Sequence, residues 1–226
     1  MRRVALVVAA LVGASTVPTA APSVAAGSCA ITTPSKVVVD REFREYPVSF
    51  SGACTTGSGS GSWDAVHPTK GIQEFFLVIG GDAQYDTRQT FDVYDFMTPI
   101  GTWEVRPGGG AYDSRFNTLT QNTRTMTVKL GSRNALSASR SGSAVTLTSK
   151  VTAYNTSASA FRPKSGATVK FYSKNSDGTW SYKGSAKTGS TGSARLTVTS
   201  STKRIWKAVT VESSTTWGST SATATR

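Results

Sequence analysis

The sequence predicts an all-β protein built from two β-sandwiches in tandem, which follow a cleaved signal peptide. Three observations lead to this prediction. Short segments of alternating apolar and polar residues recur beyond residue 26, and turns rich in Gly, Asn, Asp and Ser separate them, at the spacing of about 8–12 residues that is typical of sandwiches. No long segment keeps the apolar period of about 3.6 residues that marks a helix. The formal charge also changes abruptly near Gly131.

The N-terminus has the three parts of a secretory signal peptide. Arg2 and Arg3 form a basic start, residues 4–12 form an apolar core, and residues 24–26 supply a cleavage pattern of small residues. The apolar core is shorter than the roughly 20 residues that a transmembrane helix needs. We therefore expect residues 1–26 to be removed, the protein to be secreted to the extracellular space, and no segment to span a membrane. A membrane anchor at this end is the less favoured alternative.

Cys29 and Cys54 are the only cysteines in the chain. Two cysteines in an exported protein most simply form one disulfide. Such a bond would fasten the mature N-terminus to the strand that contains Val48 and Phe50, with a contribution of about 3 kcal/mol from the closed loop. A redox or metal-binding pair would need CxxC spacing, which is absent, and the residues before Cys29 do not favour lipoprotein acylation.

The charge divides the mature chain into two predicted domains. Residues 27–131 carry nine Lys or Arg against eleven Asp or Glu, a net of −2, whereas residues 132–226 carry fourteen against two, a net of +12. Such asymmetry indicates two units with different surface electrostatics. We place the boundary at Gly131 and expect the disulfide in the first, mildly acidic unit.

Strands of the first unit are predicted at residues 36–40, 47–51, 90–97, 101–106 and 123–130. In residues 101–106, Trp103 and Val105 alternate with polar residues, as in a half-exposed strand. Residues 75–79 form a continuous apolar run, which favours a central strand buried on both faces.

In the second unit, one long strand places Val145, Leu147 and Val151 on one face. A later strand does the same with Val169 and Phe171. Residues 175–178 have the composition of a tight turn, so a hairpin into residues 179–182 is expected. Strands around Leu196 and Trp206 complete the sandwich, and Trp180 and Trp206 are expected in its core.

Four short stretches of the second unit match a known pattern: residues 165–169 (SGATV), 177–180 (DGTW), the turn at 188–192 and residues 205–208 (IWKA). On these stretches the second unit resembles the Ig-like modules of secreted bacterial proteins, especially actinobacterial ones. The resemblance implies an extracellular Ig-like sandwich used for presentation, spacing or binding. These modules have no fixed catalytic residues, so the resemblance implies no catalytic site, and we extend the Ig-like assignment to both units.

The first unit offers weak candidates for chemistry. His67 is the only histidine, and without an oriented partner it is read as an exposed or capping residue. No Cys and His cluster exists for zinc. Its acidic residues concentrate in loops: Asp82, Asp86, Asp92, Asp95 and Asp113. Two or three of them could bind calcium, or two could act as the acid pair of a hydrolase, but either role needs a geometry that the sequence does not reveal. A solvated acidic face is the favoured interpretation, the metal question stays open, and no cofactor is expected.

The second unit is basic, and its cations lie among aromatic residues, which is typical of surfaces that hold an anionic polymer by charge neutralisation and stacking. The aromatic residues are Tyr172, Trp180 and Tyr182. Alternation or turn placement points most of five cations to solvent, and these are the predicted ligand-binding residues: Lys170, Lys174, Lys183, Arg204 and Lys207. The alternative is a basic surface that only confers solubility.

The predicted function is that of a secreted, non-enzymatic binding or surface-associated module. Its basic unit would contact an anionic extracellular polymer or the cell wall, and the protein is expected to be monomeric. A structural spacer or inhibitor-like partner protein is the first alternative, and an extracellular hydrolase that uses the acidic residues of the first unit is the second. Residues 213–226 contain no sorting motif, so covalent anchoring to the wall is not expected.

Overall fold

The computed structural model describes residues 27–226, and the predicted signal peptide lies outside them. Regular structure in this range consists of β-strands and three short 3₁₀ turns. No helix within it is long and apolar enough to cross a bilayer. The chain is therefore all-β, as predicted. The strands up to Leu130 are β1 Ser28–Thr32, β2 Lys36–Val39, β3 Phe43–Gly52, β4 Ser60–His67, β5 Gly71–Ile79, β6 Arg88–Tyr94, β7 Gly101–Tyr112, β8 Thr120–Gln121 and β9 Arg124–Leu130.

The later strands begin directly after Gly131. Each sheet is built only from strands that precede this residue in the sequence or only from strands that follow it. The later strands are β10 Ser132–Ser141, β11 Ala144–Asn155, β12 Ala160–Pro163, β13 Thr168–Lys174, β14 Trp180–Lys187, β15 Ser193–Thr199, β16 Ile205–Thr210, β17 Ser219–Thr220 and β18 Ala224–Thr225. The 3₁₀ turns are Ala53–Thr55, Ala83–Tyr85 and Thr156–Ala158. Independent folding of the two parts stays a prediction.

The first part is an Ig-like sandwich. One sheet has the order β6-β3-β1-β8 and the other has the order β2-β9-β7-β4-β5. The N-terminal strand changes sheets, because β1 pairs antiparallel with β3 whereas β2 pairs parallel with β9. In Ig-like sandwiches, strands A, B and E oppose strands C, F and G. Here β1, β3 and β6 oppose β4, β7 and β9.

Large aromatic residues fill the first sandwich. Trp63 on β4 packs against Phe50 on β3 with ring centroids 5.5 Å apart, and Trp103 on β7 meets Phe91 on β6 at 5.4 Å. Both tryptophans are buried, and both indole N–H groups donate to backbone carbonyls. These contacts bridge the two sheets and close the core.

The predicted disulfide is confirmed. Cys29 on β1 and Cys54 in the turn after β3 are bonded, with Cα atoms 5.5 Å apart, and both residues are fully buried. The bond joins two neighbouring strand ends, since Cys29 lies opposite Gly52 in the β1–β3 register.

The second part repeats the Ig-like arrangement. In one sheet, β11 pairs with β10 along one edge and with β15 and β12 along the other. The facing sheet has the order β14-β13-β16, and β17 and β18 both pair with β16. The predicted hairpin is confirmed as β13–β14, and its ladder is interrupted by a bulge next to Tyr172. Both sandwiches therefore have the predicted fold class.

A smaller core holds the second sandwich. It centres on Trp206 and Phe171, which are almost completely buried between the sheets with Val145, Leu147 and Val169. Strand alternation places these residues inward, and the burial of Trp206 confirms its predicted position.

Tyr154 joins the two sandwiches. It lies on β11 of the second sandwich, is 3% exposed, and packs with the core of the first. Its hydroxyl donates to Oδ2 of Asp95 over 2.7 Å, and Ser159 donates to the same oxygen over 2.8 Å. Burial, reinforced by Asp95, raises the pKa of Tyr154 to about 12. The neutral phenol therefore holds the junction across the physiological pH range.

The segment after β16 also returns to the first sandwich. The backbone N–H of Trp217 donates to the carbonyl of Leu130, and its indole Nε1 donates to the carbonyl of Val37 over 2.8 Å. Two ammonium groups lie over the indole ring, with Nζ of Lys36 4.6 Å and Nζ of Lys129 4.9 Å from the centroid. Lys129 also forms a 2.5 Å ion pair with Glu212.

One strand prediction is wrong. Residues 75–79 do not form a central strand, because β5 pairs only with β4 and lies at the edge of its sheet. Phe76 and Val78 are buried, but Phe75 is 52% exposed. A continuous apolar run is thus compatible with an edge strand that is buried on one face only.

Candidate binding face on the second sandwich

The outer surface of the β14-β13-β16 sheet carries a row of cations and aromatic rings. Alternation on β13 buries Val169, Phe171 and Ser173 and turns the residues between them outward. Register extends this surface onto both neighbouring strands, because Tyr172 lies opposite Lys207 on β16 and opposite Tyr182 on β14. We call this surface the cation–aromatic face and define it by Lys170, Tyr172, Lys174, Trp180, Tyr182 and Lys207.

Lys207 is the centre of the cation–aromatic face. Its Nζ lies 4.3 Å from the ring centroid of Trp180 and 5.5 Å from that of Tyr172. Tyr172 in turn contacts Tyr182 edge to face, with centroids 5.7 Å apart. A cation over an aromatic ring is attracted to the ring quadrupole, so these contacts hold the ammonium group on the sheet surface.

Three of the five predicted ligand-binding residues lie together on the cation–aromatic face, and the other two lie apart from it. Lys170, Lys174 and Lys207 share the cation–aromatic face, by the register given above. Arg204 lies at the start of β16 and, with Lys174 and Lys203, lines an open groove of about 540 Å³ at the end of the sheet. Lys183 is the exposed residue at the β14 bulge, between the positions paired with Tyr172 and Phe171.

Trp180 departs from its predicted position in the core. It is only half-buried, and it lies opposite Lys174 on the outer surface. The bulge next to Tyr172 shifts the β14 register by one residue, and such a shift moves a side chain to the other face of a sheet. A hairpin sequence does not reveal where its bulge lies, so the sequence could not decide whether Trp180 belongs to the core or to the surface aromatic residues.

The positive charge of this face has no carboxylate partner among the described residues. The four ion pairs found there use Asp40, Glu104 and Glu212 as acids, and none uses a cation of the face. The acid closest in sequence is Asp177 in the β13–β14 turn, whose pKa is lowered by hydrogen bonds from Thr179. Asp177 is therefore ionised, and its Oδ1 accepts two hydrogen bonds from Thr179 within the turn.

The acidic residues of the first sandwich serve local structure. Asp95 holds Tyr154 at the junction, and Asp113 accepts from the backbone of Arg115 and Asn117. Asp82 accepts from the backbone of Gln84 in a 3₁₀ turn. Among residues 27–226, no group of three or more His, Cys, Asp or Glu side chains is arranged to hold a metal ion. The loop acids therefore do not converge on one site.

Glu74 and Asp92 are two carboxylates whose proximity was not predicted from the sequence. They line a cleft of about 90 Å³ between β5 and β6, with Tyr94, Met97 and Trp103. Burial raises the pKa of Glu74, and the negative charge of Asp92 adds to the rise. The cleft is small, with enclosed room for a few water molecules.

His67 is buried, so of the two predicted roles, exposed or capping, only the capping role fits. Its ring packs edge-on against Trp103 at 5.6 Å. Nε2 lies 3.2 Å from the carbonyl oxygen of Ile100, and Nδ1 accepts from the backbone N–H of Thr69. Both nitrogens are thus used by the β4–β5 turn and its neighbour, and neither is available to activate a nucleophile.

Comparisons with known proteins find similarity at the level of three-dimensional structure only. No protein-family model and no curated protein matches the chain. Salmonella α-2-macroglobulin reacted with methylamine aligns with a TM-score of 0.39 and 11% identity, over 92% of this chain and 15% of that one. The D00-D0 domain of intimin aligns at 0.28 and 13%, over 87% and 98%. CBD12 from CALX1.2 aligns at 0.32 and 12%, over 80% and 79%. Similarity at this level does not assign a function.

Proposed function

We propose that the protein is a secreted, non-catalytic module whose second sandwich binds an anionic polymer outside the cell, on the cation–aromatic face. The observation that carries the proposal is a solvent-facing set of lysines, Lys170, Lys174 and Lys207, that has no carboxylate partner in residues 27–226 and is set among aromatic rings. The excess of twelve positive charges in residues 132–226 supports the same function, because a field of one sign raises the local concentration of a polyanion.

The adjoining groove extends this surface. Lys174 belongs to the face and also lines the groove with Lys203 and Arg204. A polymer that runs along the outer surface of β13 would therefore meet cations along the whole strand, from Lys170 to the groove. Strand geometry separates Lys170 from Lys174 by about 13 Å, so the site fits an extended chain rather than a single small anion.

The experiment is retention of the full mature protein on immobilised heparin and teichoic acid, with salt elution. Wild type should bind at low salt and elute early as salt rises, since counterion release dominates such binding. Replacement of Lys170, Lys174 and Lys207 by Glu should abolish retention. Lys170 and Lys174 are exposed, and such substitutions usually change stability by about 0.5 kcal/mol or less. Lys207 is half-buried and loses its contacts with two rings, at a cost of about 1 kcal/mol, so the fold should stay intact.

A matched control carries the same change in net charge elsewhere. Lys70, Arg88 and Arg115 are exposed cations of the first sandwich, and their replacement by Glu should leave retention nearly unchanged. Equal loss in both triple variants would mean that net charge alone is responsible, and failure of wild type to bind would favour the spacer or inhibitor-like alternative. For the hydrolase alternative, Glu74 and Asp92 are the best candidate pair of acids. If that alternative holds, the protein turns over a substrate and Glu74→Gln abolishes the turnover.

A further inference from the structure

We infer that the polymer bound by the cation–aromatic face is an anionic polysaccharide, a chain in which sugar rings carry the charged groups. The inference rests on the proposed function and names its ligand class. It starts from the position of Lys207, whose ammonium group lies within 4.3–5.5 Å of two ring centroids. Any anionic group that meets this ammonium brings its neighbouring atoms against the rings of Trp180 and Tyr172.

The atoms next to the charged group of the ligand therefore decide how well it fits this face. In a bare polyphosphate, the neighbouring atoms are further charged oxygens, which gain nothing from the negative face of an aromatic ring. In a sugar bearing a carboxylate, sulfate or phosphate, the neighbouring atoms are C–H groups of the ring, which pack favourably on an aromatic surface. Tyr182 is 54% exposed beside Tyr172 and offers the free surface for such packing.

The ring geometry favours sugars over nucleic-acid bases. Single-stranded nucleic acids are held by aromatic side chains on which successive bases stack. Tyr172 and Tyr182 meet at an interplanar angle of 63°, so they do not form a stacking platform for two consecutive bases. One face of Trp180 is covered by the ammonium of Lys207. The face thus offers single ring contacts next to cations, an arrangement that suits an anionic polysaccharide.

The test compares three ligands by titration calorimetry against the full mature protein: heparin, inorganic polyphosphate and oligo(dT). The informative variant is Tyr182→Ala, because this exposed residue leaves every cation in place. It should weaken heparin binding about fivefold, the lower end of the effects known for bases stacked on aromatic side chains, without changing the salt dependence. Polyphosphate binding should not change. Lys170→Gln is the control, and it should weaken both ligands and reduce the salt dependence of both.

The outcomes separate the ligand class from the function beneath it. If Tyr182→Ala leaves heparin binding unchanged while Lys170→Gln weakens it, the polymer is recognised by charge alone and the polysaccharide inference is overturned, although the proposed function stands. If oligo(dT) binds more tightly than heparin and loses more affinity in Tyr182→Ala, the ligand is a nucleic acid and the inference is again overturned. If wild type binds none of the three, both fail together.

Discussion

The two sandwiches share one strand arrangement but differ in the size of their cores and in their charge. The core of the first contains 21 buried residues, including Trp63, Trp103 and the disulfide, whereas the core of the second contains eight. One of the 21 is Tyr154, which belongs to the chain of the second sandwich. Burial of apolar surface stabilises a fold by about 25 cal/mol per Å², so burial contributes more free energy to the first sandwich than to the second.

The second sandwich carries the cations instead. Its sequence contains many like charges, which destabilise a compact state through self-repulsion. It is anchored to the first sandwich through Tyr154 and Trp217. A surface of one charge sign is thus carried on a small core, next to a sandwich with a larger core.

The largest effect should come from a change in the small core. Trp206→Ala removes a side chain that is 1% exposed and should cost about 3–5 kcal/mol, enough to unfold the second sandwich and leave the first folded. Hydrogen exchange of β13–β16 and β4–β7 amides measures both units in one sample. Trp206→Phe is the control and should cost much less, because Nε1 of Trp206 has no hydrogen-bond partner among residues 27–226. Simultaneous loss of protection in both sandwiches would show that they form one cooperative unit.

An intermediate effect is expected at the junction. Tyr154→Phe leaves Asp95 buried with Ser159 as its remaining side-chain donor and should cost about 1–3 kcal/mol at neutral pH. The pKa of Tyr154 is raised in the folded protein from 10.0 to about 12. Its contribution is therefore fully present below pH 10 and is lost as pH rises through 12.

The difference in unfolding free energy between wild type and Tyr154→Phe should accordingly shrink between pH 10 and 12. Denaturant titrations at pH 7, 10 and 12 give this difference directly. Ser159→Ala, which removes the other donor to the same Asp95 oxygen, serves as the comparison, and its difference from wild type should not shrink between pH 10 and 12. A difference that stays constant to pH 12 would mean that the phenol is not the titrating group at the junction.

The smallest effect concerns the first sandwich alone. The pKa of Glu74 is raised in the folded state by burial and by Asp92, so the ionised side chain at neutral pH opposes folding. Glu74→Gln should therefore raise the melting temperature slightly at pH 7, and the gain should vanish below the ordinary pKa of 4.5. Thermal scans at pH 7 and pH 4 test the sign. A melting temperature lowered at pH 7 would indicate that Glu74 is held by a favourable contact.

Alternation predicted the parts of the molecule that depend on one strand at a time. The inward positions of Val169 and Phe171, the outward positions of Lys170 and Lys207 and the β13–β14 hairpin are all consequences of local pattern. The disulfide was predictable from the cysteine count and the predicted export.

Features that depend on distant neighbours were not predictable in this way. β5 lies at the edge because no strand of residues 27–226 pairs with its second side, and Trp180 points outward because of a bulge in the hairpin. The meeting of Glu74 with Asp92 depends on how two sheets close at one side. In each case the deciding contact lies outside the sequence window that shows the pattern.

The return of Trp217 to the first sandwich has a consequence for the order of folding. Its indole contacts the carbonyl of Val37, 180 residues earlier in the chain. Contacts of such sequence separation form late, because the loop must close before they yield any free energy. We therefore expect the first sandwich to complete its sheets before Trp217 reaches β2 and β9, and Trp217 to take its place only after the second sandwich has folded.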